Sequence, residues 1–172
     1  MSLDLGGIGK EWAVDQVCHI AAKHDIHRYA VSFGRDIRVA GEPPEGGRWR
    51  LGLEHPGEPE RCWDGVLLRD AALCCSGDYR RFVDLAGRRL GHILDPRSGE
   101  PANSGCHAAW VIAPTCTDAG MLCTTALIVG AEEALRRVDA TPGASACLWL
   151  ESEILETRRF NEHRISVEEK KA

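Results

Sequence analysis

No uncharged apolar run in this 172-residue chain approaches the ~18 residues that a membrane-spanning helix requires, and no secretory leader is recognisable. The expectation for the sequence as given is a protein of the cytoplasm without a membrane partner, the alternative being a longer native form that is exported. A concentrated basic face is also missing. The net charge is −5, and the arginine pairs Arg80-Arg81, Arg88-Arg89 and Arg136-Arg137 are short and scattered. A nucleic-acid binder needs clustered cations against phosphate, so nucleic acid is excluded as a general partner. No CxxC occurs among the eight cysteines. The closest pair, Cys74-Cys75, is adjacent, a spacing that rarely closes a relaxed disulfide. Cys18, Cys62, Cys74, Cys75, Cys106, Cys116, Cys123 and Cys147 therefore read as reduced, buried thiols of a reducing compartment. A Cys/His zinc site is the alternative. Internal repeats and alternating βαβ units are absent as well.

What is present is an ordinary globular mixture, 44% hydrophobic and 27% charged, long enough to bury roughly 70% of its unfolded surface in one domain. Residues 10–23 read as an amphipathic helix with Val14, Val17, Cys18 and Ala21 on one stripe. Short strands follow at 29–33 and 37–40, with a turn at 34–36, then a Pro/Gly loop at 41–47. Further strands fall at 49–53, 65–69, 71–75, 79–85, 88–93, 109–113 and 147–150, with Ala86-Gly87 as a hairpin turn. Helices occupy 117–129 and 131–138, divided by Gly130, and the tail from Val167 is expected to fray. Hairpins with inserted helices predict an α+β fold, an antiparallel sheet with helices packed on it.

Three segments concentrate chemistry. Asp4-Leu5-Gly6-Gly7-Ile8-Gly9-Lys10 opens a helix, and its glycines and helix N-terminus suit an anion. Lys10 is followed by Glu11 instead of Ser/Thr, so this is no Walker loop. Ser76-Gly77-Asp78-Tyr79 leads to Gly91-His92-Ile93-Leu94-Asp95-Pro96-Arg97-Ser98-Gly99, where His92 is the natural general base. Asp118 and the hydroxyls of Thr117, Thr124 and Thr125 surround a helix start and suit Mg²⁺. Each segment also has a plain structural explanation: a glycine turn, Asx and proline turns, and an N-cap by Thr117 or Asp118.

The order D-L-G-G-I-G-K, F-G-R-D-I, S-G-D-Y, G-H-I-L-D-P-R-S-G-E-P, A-P-T and T-A-L-x-V-G resembles the ApbE-type flavin transferases, also called FAD:protein FMN transferases. The resemblance runs from Asp4 to about Leu150, and the chain corresponds to the C-terminal half of the family's usual length; Met1-Ser2-Leu3 reads as an added or displaced start. It implies an ApbE-like α+β domain that binds FAD with Mg²⁺ and splits the pyrophosphate. FMN then passes to a Thr or Ser of an acceptor flavoprotein, and AMP leaves. By position, the resemblance implies FAD contacts at Asp4, Lys10 and Ile93, a general base at His92, and metal ligands at Gly7, through its carbonyl, and Thr124. The family's metal aspartate stands four residues before that threonine. Here Gly120 takes its place, and Asp118, six before, can serve only from a loop ahead of the helix. The family's G-G-D turn reads Gly34-Arg35-Asp36, a strain on Arg35 if that position needs positive φ. The other expectation is a truncated or degenerate member that binds flavin nucleotide or a partner chain without catalysis. An exposed edge left by the missing half makes a homodimer an additional expectation.

Overall fold

The computed structural model describes residues 5–85 and 87–165, so Asp4, Ala86 and the tail from Val167 lie outside the described residues. Helix α1 (Gly9–Lys23) is followed by strands β1 (Tyr29–Phe33), β2 (Asp36–Ala40), β3 (Trp49–His55), β4 (Glu58–Leu68), β5 (Ala71–Gly77), β6 (Phe82–Leu85), β7 (Arg88–Gly91) and β8 (Cys106–Ala113). Helices α2 (Cys116–Val129) and α3 (Ala131–Ala140), strands β9 (Ser145–Leu150) and β10 (Ile154–Glu156) and the short α4 (Arg158–Asn161) complete it. The expected α+β class is found. Six strands form one antiparallel sheet in the order β1-β2-β5-β8-β9-β10, and β3-β4 and β6-β7 form separate hairpins.

Period-two alternation makes this sheet the middle of three layers. On β8, Ala109, Val111 and Ala113 join Cys74, Cys123 and Leu127 under the helices. Ala108, Trp110 and Ile112 on the same strand join Leu53, Val66 and Leu68 of the β3-β4 hairpin and Phe160 of α4. Trp110 is 1% exposed and packs against Trp63 and Trp149, with ring centroids at 5.6 and 6.4 Å. Small residues on the helix side let α2 lie close to the sheet, and the large ones on the other side fill the space beneath a twisted hairpin.

Local chemistry explains where the elements differ from the sequence expectation. Residues 54–60, between the expected strands 49–53 and 65–69, make a tight hairpin, with the His55 ring accepting from the amides of Gly57 and Glu58. Ser76-Gly77, beyond the expected strand 71–75, extends β5 opposite Ala109 and Ala108. Strand β8 begins at Cys106 because a bulge at His107 carries the pairing past a break in alternation. Strand β7 stops at Gly91, leaving His92 and Ile93 in a loop. The feared strain at Arg35 does not arise: Gly34 takes the left-handed conformation, at φ 72°. All eight cysteines are free thiols, and Cys62 is exposed, contrary to the expectation that all are buried, because it sits at the solvent end of β4. Among the described residues, no helix is long and apolar enough to cross a membrane.

Candidate functional site

The helix-side face of β2 starts with Asp36 and Arg38, and these two residues meet α1. Asp15 of α1 accepts from Arg38 at 2.6 Å. The same carboxylate caps α2, accepting from the amides of Cys116 (3.0 Å) and Thr117 (2.9 Å) and from the Thr117 hydroxyl (2.7 Å). Burial works to raise the Asp15 carboxyl, but the bonds from Thr117, Cys116 and Arg38 more than offset it and hold it below the usual carboxylate value. One side chain thereby fixes the first element of the chain on the start of α2.

One turn before Asp15, Glu11 lies against α2 at Gly120. A Cβ at position 120 would sit 2.4 Å from Glu11 Cγ and 3.0 Å from Oε1. Lys10 pairs with Asp36, which is 2% exposed, and its Nζ is 3.7 Å from Glu11 Oε1. Burial pulls the Lys10 ammonium down, and the hydrogen bond and charge of Asp36 with the charge of Glu11 bring it net upward, so it stays charged. Lys10, expected to contact FAD, is thus engaged within the protein. The helix N-terminus is also less open to an anion than expected, because the Ile8 and Gly9 amides both donate to the Leu5 carbonyl. Gly7 is exposed in the turn that enters α1.

One turn beyond Gly120, the Thr124 hydroxyl is 3.3 Å from that of Ser76 on β5. Asp118 is not with them. It lies inside the first turn of α2, where the Thr115 hydroxyl donates to its carboxylate at 2.6 Å. Six positions at 100° place it about 120° around the helix from Thr124, so the loop placement that would have brought it to the same face is not found. The N-cap is Thr115, not Thr117 or Asp118, and it accepts from the Asp118 amide.

Two residues past Ser76, Asp78 pairs with His107 Nδ1 at 2.8 Å. His107 occupies the β8 bulge, and its role could have been suspected only from the S-G-D-Y motif, not from its own surroundings in sequence. A Cβ at Gly91 would lie 3.3 Å from that of Asp78, so the β6-β7 hairpin closes on this point. The pairing of Phe82 with Gly91 sets His92 across from Arg81. His92 Nδ1 lies 3.0 Å from the Arg81 carbonyl, which can only accept, so Nδ1 is the donor there and Nε2 is the nitrogen that accepts in the neutral ring. His92 is exposed, while Ile93 is half-buried against the helix-side core. The loop beyond is tied to α2 by Arg97, which donates to the Ile128 carbonyl, and Ser104, which donates to that of Leu127. Arg97 also holds the Asp95 carboxyl down at about 2.

The contacts thus run in series: α1 meets α2 at Gly120, α2 meets β5 at Thr124, and Asp78, just past β5, meets the β6-β7 hairpin at Gly91, next to His92. Among the described residues, no three His, Cys, Asp or Glu side chains gather as a metal site of their own, which removes the zinc alternative there. A cavity of about 310 Å³, lined by Arg35, Leu51, Glu54, Cys75 and Trp110, lies on the opposite face of the sheet and holds none of the sequence-nominated residues.

The sequence matches the ApbE family over residues 1–149. It is 32% identical over 139 residues to the FAD:protein FMN transferase of Vibrio cholerae, covering 80% of this chain and 42% of that protein. The Escherichia coli K12 protein of the same name is 32% identical over 133 residues, covering 77% of this chain and 38% of its own length. The crystal structure of the ApbE protein from Thermotoga maritima superposes with a TM-score of 0.86 at 30% identity, over 96% of this chain and 54% of that one. The flavin transferase ApbE from Vibrio cholerae gives 0.80 at 27% identity, over 94% and 52%. The chain therefore spans about two fifths of the length of these curated relatives and about half of the solved structures. With its sequence match, its fold and its motifs in agreement, the chain belongs to the ApbE family.

Proposed function

We propose that this chain carries the transfer centre of an FAD:protein FMN transferase, moving FMN from FAD to a Thr or Ser hydroxyl of an acceptor flavoprotein. The acceptor oxygen attacks the FMN-side phosphorus, the P–O bond to the bridging oxygen breaks, and AMP departs with that oxygen. What supports this most is the state of His92: with Nδ1–H spent on Arg81, Nε2 is free to take the hydroxyl proton as the new P–O bond forms. Ile93, next in the chain, offers an apolar surface for the flavin nucleotide, and Lys10 places a charged ammonium at the mouth of α1.

Phosphoryl transfer asks for in-line positioning and neutralised charge more than for covalent help. The residues fit a hard divalent cation such as Mg²⁺, which prefers oxygen donors and keeps waters and substrate phosphates as further ligands. The Gly7 carbonyl and the Thr124 hydroxyl are of the right kind, and beside Gly120 lies a buried carboxylate oxygen of Glu11 that has no partner among the described residues. When bound, the cation would offset charge on the phosphates. Asp118, committed to Thr115, is the weaker candidate for that site.

The experiment is to incubate the chain with FAD, Mg²⁺ and an acceptor bearing a Thr flavinylation site, following AMP by chromatography and covalent FMN by mass. Both products appear together if the reading is right. A second reading is favoured by Gly120, which leaves α2 without a carboxylate one turn before Thr124: the chain binds flavin nucleotide, or a partner chain, without transfer. Quenching of FAD fluorescence with neither product would establish that reading and refute the first.

A further inference from the structure

Glu11 is a residue that helix rules would place in water, in the first turn of α1 where an acidic side chain suits the dipole. Instead it is 5% exposed, and its Oε2 has no hydrogen-bond partner among the described residues. Ionised carboxylates are buried only when something answers their charge. The nearby cation does not suffice. Lys10 is bonded to Asp36, also buried, and approaches only the other oxygen of Glu11, at 3.7 Å. One ammonium thus faces two buried carboxylates. Arg38, the next cation along β2, is committed to Asp15.

The space for Glu11 is made by the partner helix. Any side chain at position 120 would collide with Cγ, so the absence of a Cβ there and the presence of the carboxyl are two halves of one arrangement. The carboxyl of Glu11 consequently lies against α2 at Gly120, a position one helical turn (~6 Å of rise) before Thr124, whose hydroxyl meets that of Ser76. Gly7 stands four residues before Glu11, at the start of the same turn of chain. An unanswered buried oxygen, two hydroxyls and a carbonyl describe oxygen donors for a small divalent cation.

We propose that Glu11 supplies the carboxylate of a divalent-cation site, reaching across from α1 to the face of α2 that Gly120 leaves bare. This deepens the transferase reading and rests on it for the identity of the metal. Glu11 acts as a ligand and takes no proton from the acceptor.

The test uses the full chain and Mn²⁺ as probe, with affinity read by the loss of the free-ion EPR signal, with and without FAD. Glu11→Gln, which keeps the shape and removes the charge, should weaken Mn²⁺ at least tenfold. It should also abolish the rise in Tm that Mg²⁺ gives the parent chain. Moving the carboxylate across the junction, as Glu11→Gly with Gly120→Asp, should restore affinity to within about threefold and serves as the control should the single variant fold poorly. Undiminished Mn²⁺ binding by folded Glu11→Gln, no restoration in the exchanged pair, or no Mn²⁺ binding by the parent chain in either condition would overturn the proposal. Mn²⁺ binding that depends on Glu11 without AMP release would uphold this site while removing the transferase reading. AMP release with Glu11-independent Mn²⁺ binding would do the reverse.

Discussion

Replacing Asp15 by Ala should loosen the whole α1–α2 junction, because a single carboxylate there accepts four hydrogen bonds. Three come from the start of α2, at 3.0, 2.9 and 2.7 Å, and one from Arg38 at 2.6 Å. Losing an N-cap costs about 1 kcal/mol, and losing a charge-assisted bond about 1.5–3 kcal/mol. Asp15 is 14% exposed and Arg38 27%, so solvent recovers only part of this. The expected loss is about 3 kcal/mol, and about 1–2 kcal/mol for Asp15→Asn, which retains an acceptor. With an m-value of about 2 kcal/mol/M, the urea midpoint of Asp15→Ala should fall by about 1.5 M. The sign with pH is fixed by the lowered carboxyl. A folded value below the unfolded one stabilises above the ordinary 3.8, and that stabilisation is lost as pH falls through the folded value. The gap between parent and variant should therefore be flat from pH 6 to 8 and shrink below about pH 4. A loss under 1 kcal/mol at pH 7, or a gap that widens on acidification, would refute this account of the junction.

Glu54 gathers Arg35, Tyr79 and Arg80 beneath the S-G-D-Y segment. Burial pushes its carboxyl up, but bonds from Arg80, Arg35 and Tyr79 bring it down to about 2. Glu54→Gln should cost about 2 kcal/mol at pH 7 after allowance for screening, and the difference should vanish as pH falls from 4.5 toward 2 in thermal melts. Trp110→Ala, at the centre of the hairpin-side core, should cost about 3–5 kcal/mol in urea unfolding. Gly130 joins α2 to α3 at φ 83° and ψ 172°, a region open essentially to glycine alone. Gly130→Ala should lower stability by about 1–3 kcal/mol in the same measurement, although alanine is the better helix former.

The parts legible in the sequence were those governed by neighbours along the chain. The strand at 109–113 stands out as an apolar run, and Gly130 marks the break between α2 and α3 before any coordinates. Elements that depend on distant partners were not legible. Strand β10 has three residues and a single half-buried side chain, Leu155, and exists only by pairing with β9. The start of β8 at Cys106 depends on pairing with β9 across a bulge at His107, which the sequence does not announce. The same limit applies to the site. The F-G-R-D-I turn and the His92 loop were visible as motifs, yet Glu11 reads as a solvated charge until Gly120, far along the chain, makes room for it. Asp118 looked like a ligand by residue type, and the hydroxyl of Thr115, three positions away, made it part of a cap.

His92 is where the account is most exposed to experiment, so the direct measurement is single-turnover FMN transfer by the chain and by His92→Ala, with FAD affinity determined alongside. Loss of a general base predicts a fall of roughly 10²–10⁴-fold in the rate of covalent FMN formation, with FAD affinity within about threefold of the parent. An unchanged rate, or a rate that falls only in step with FAD affinity, would contradict the claim that Nε2 of His92 receives the acceptor's proton.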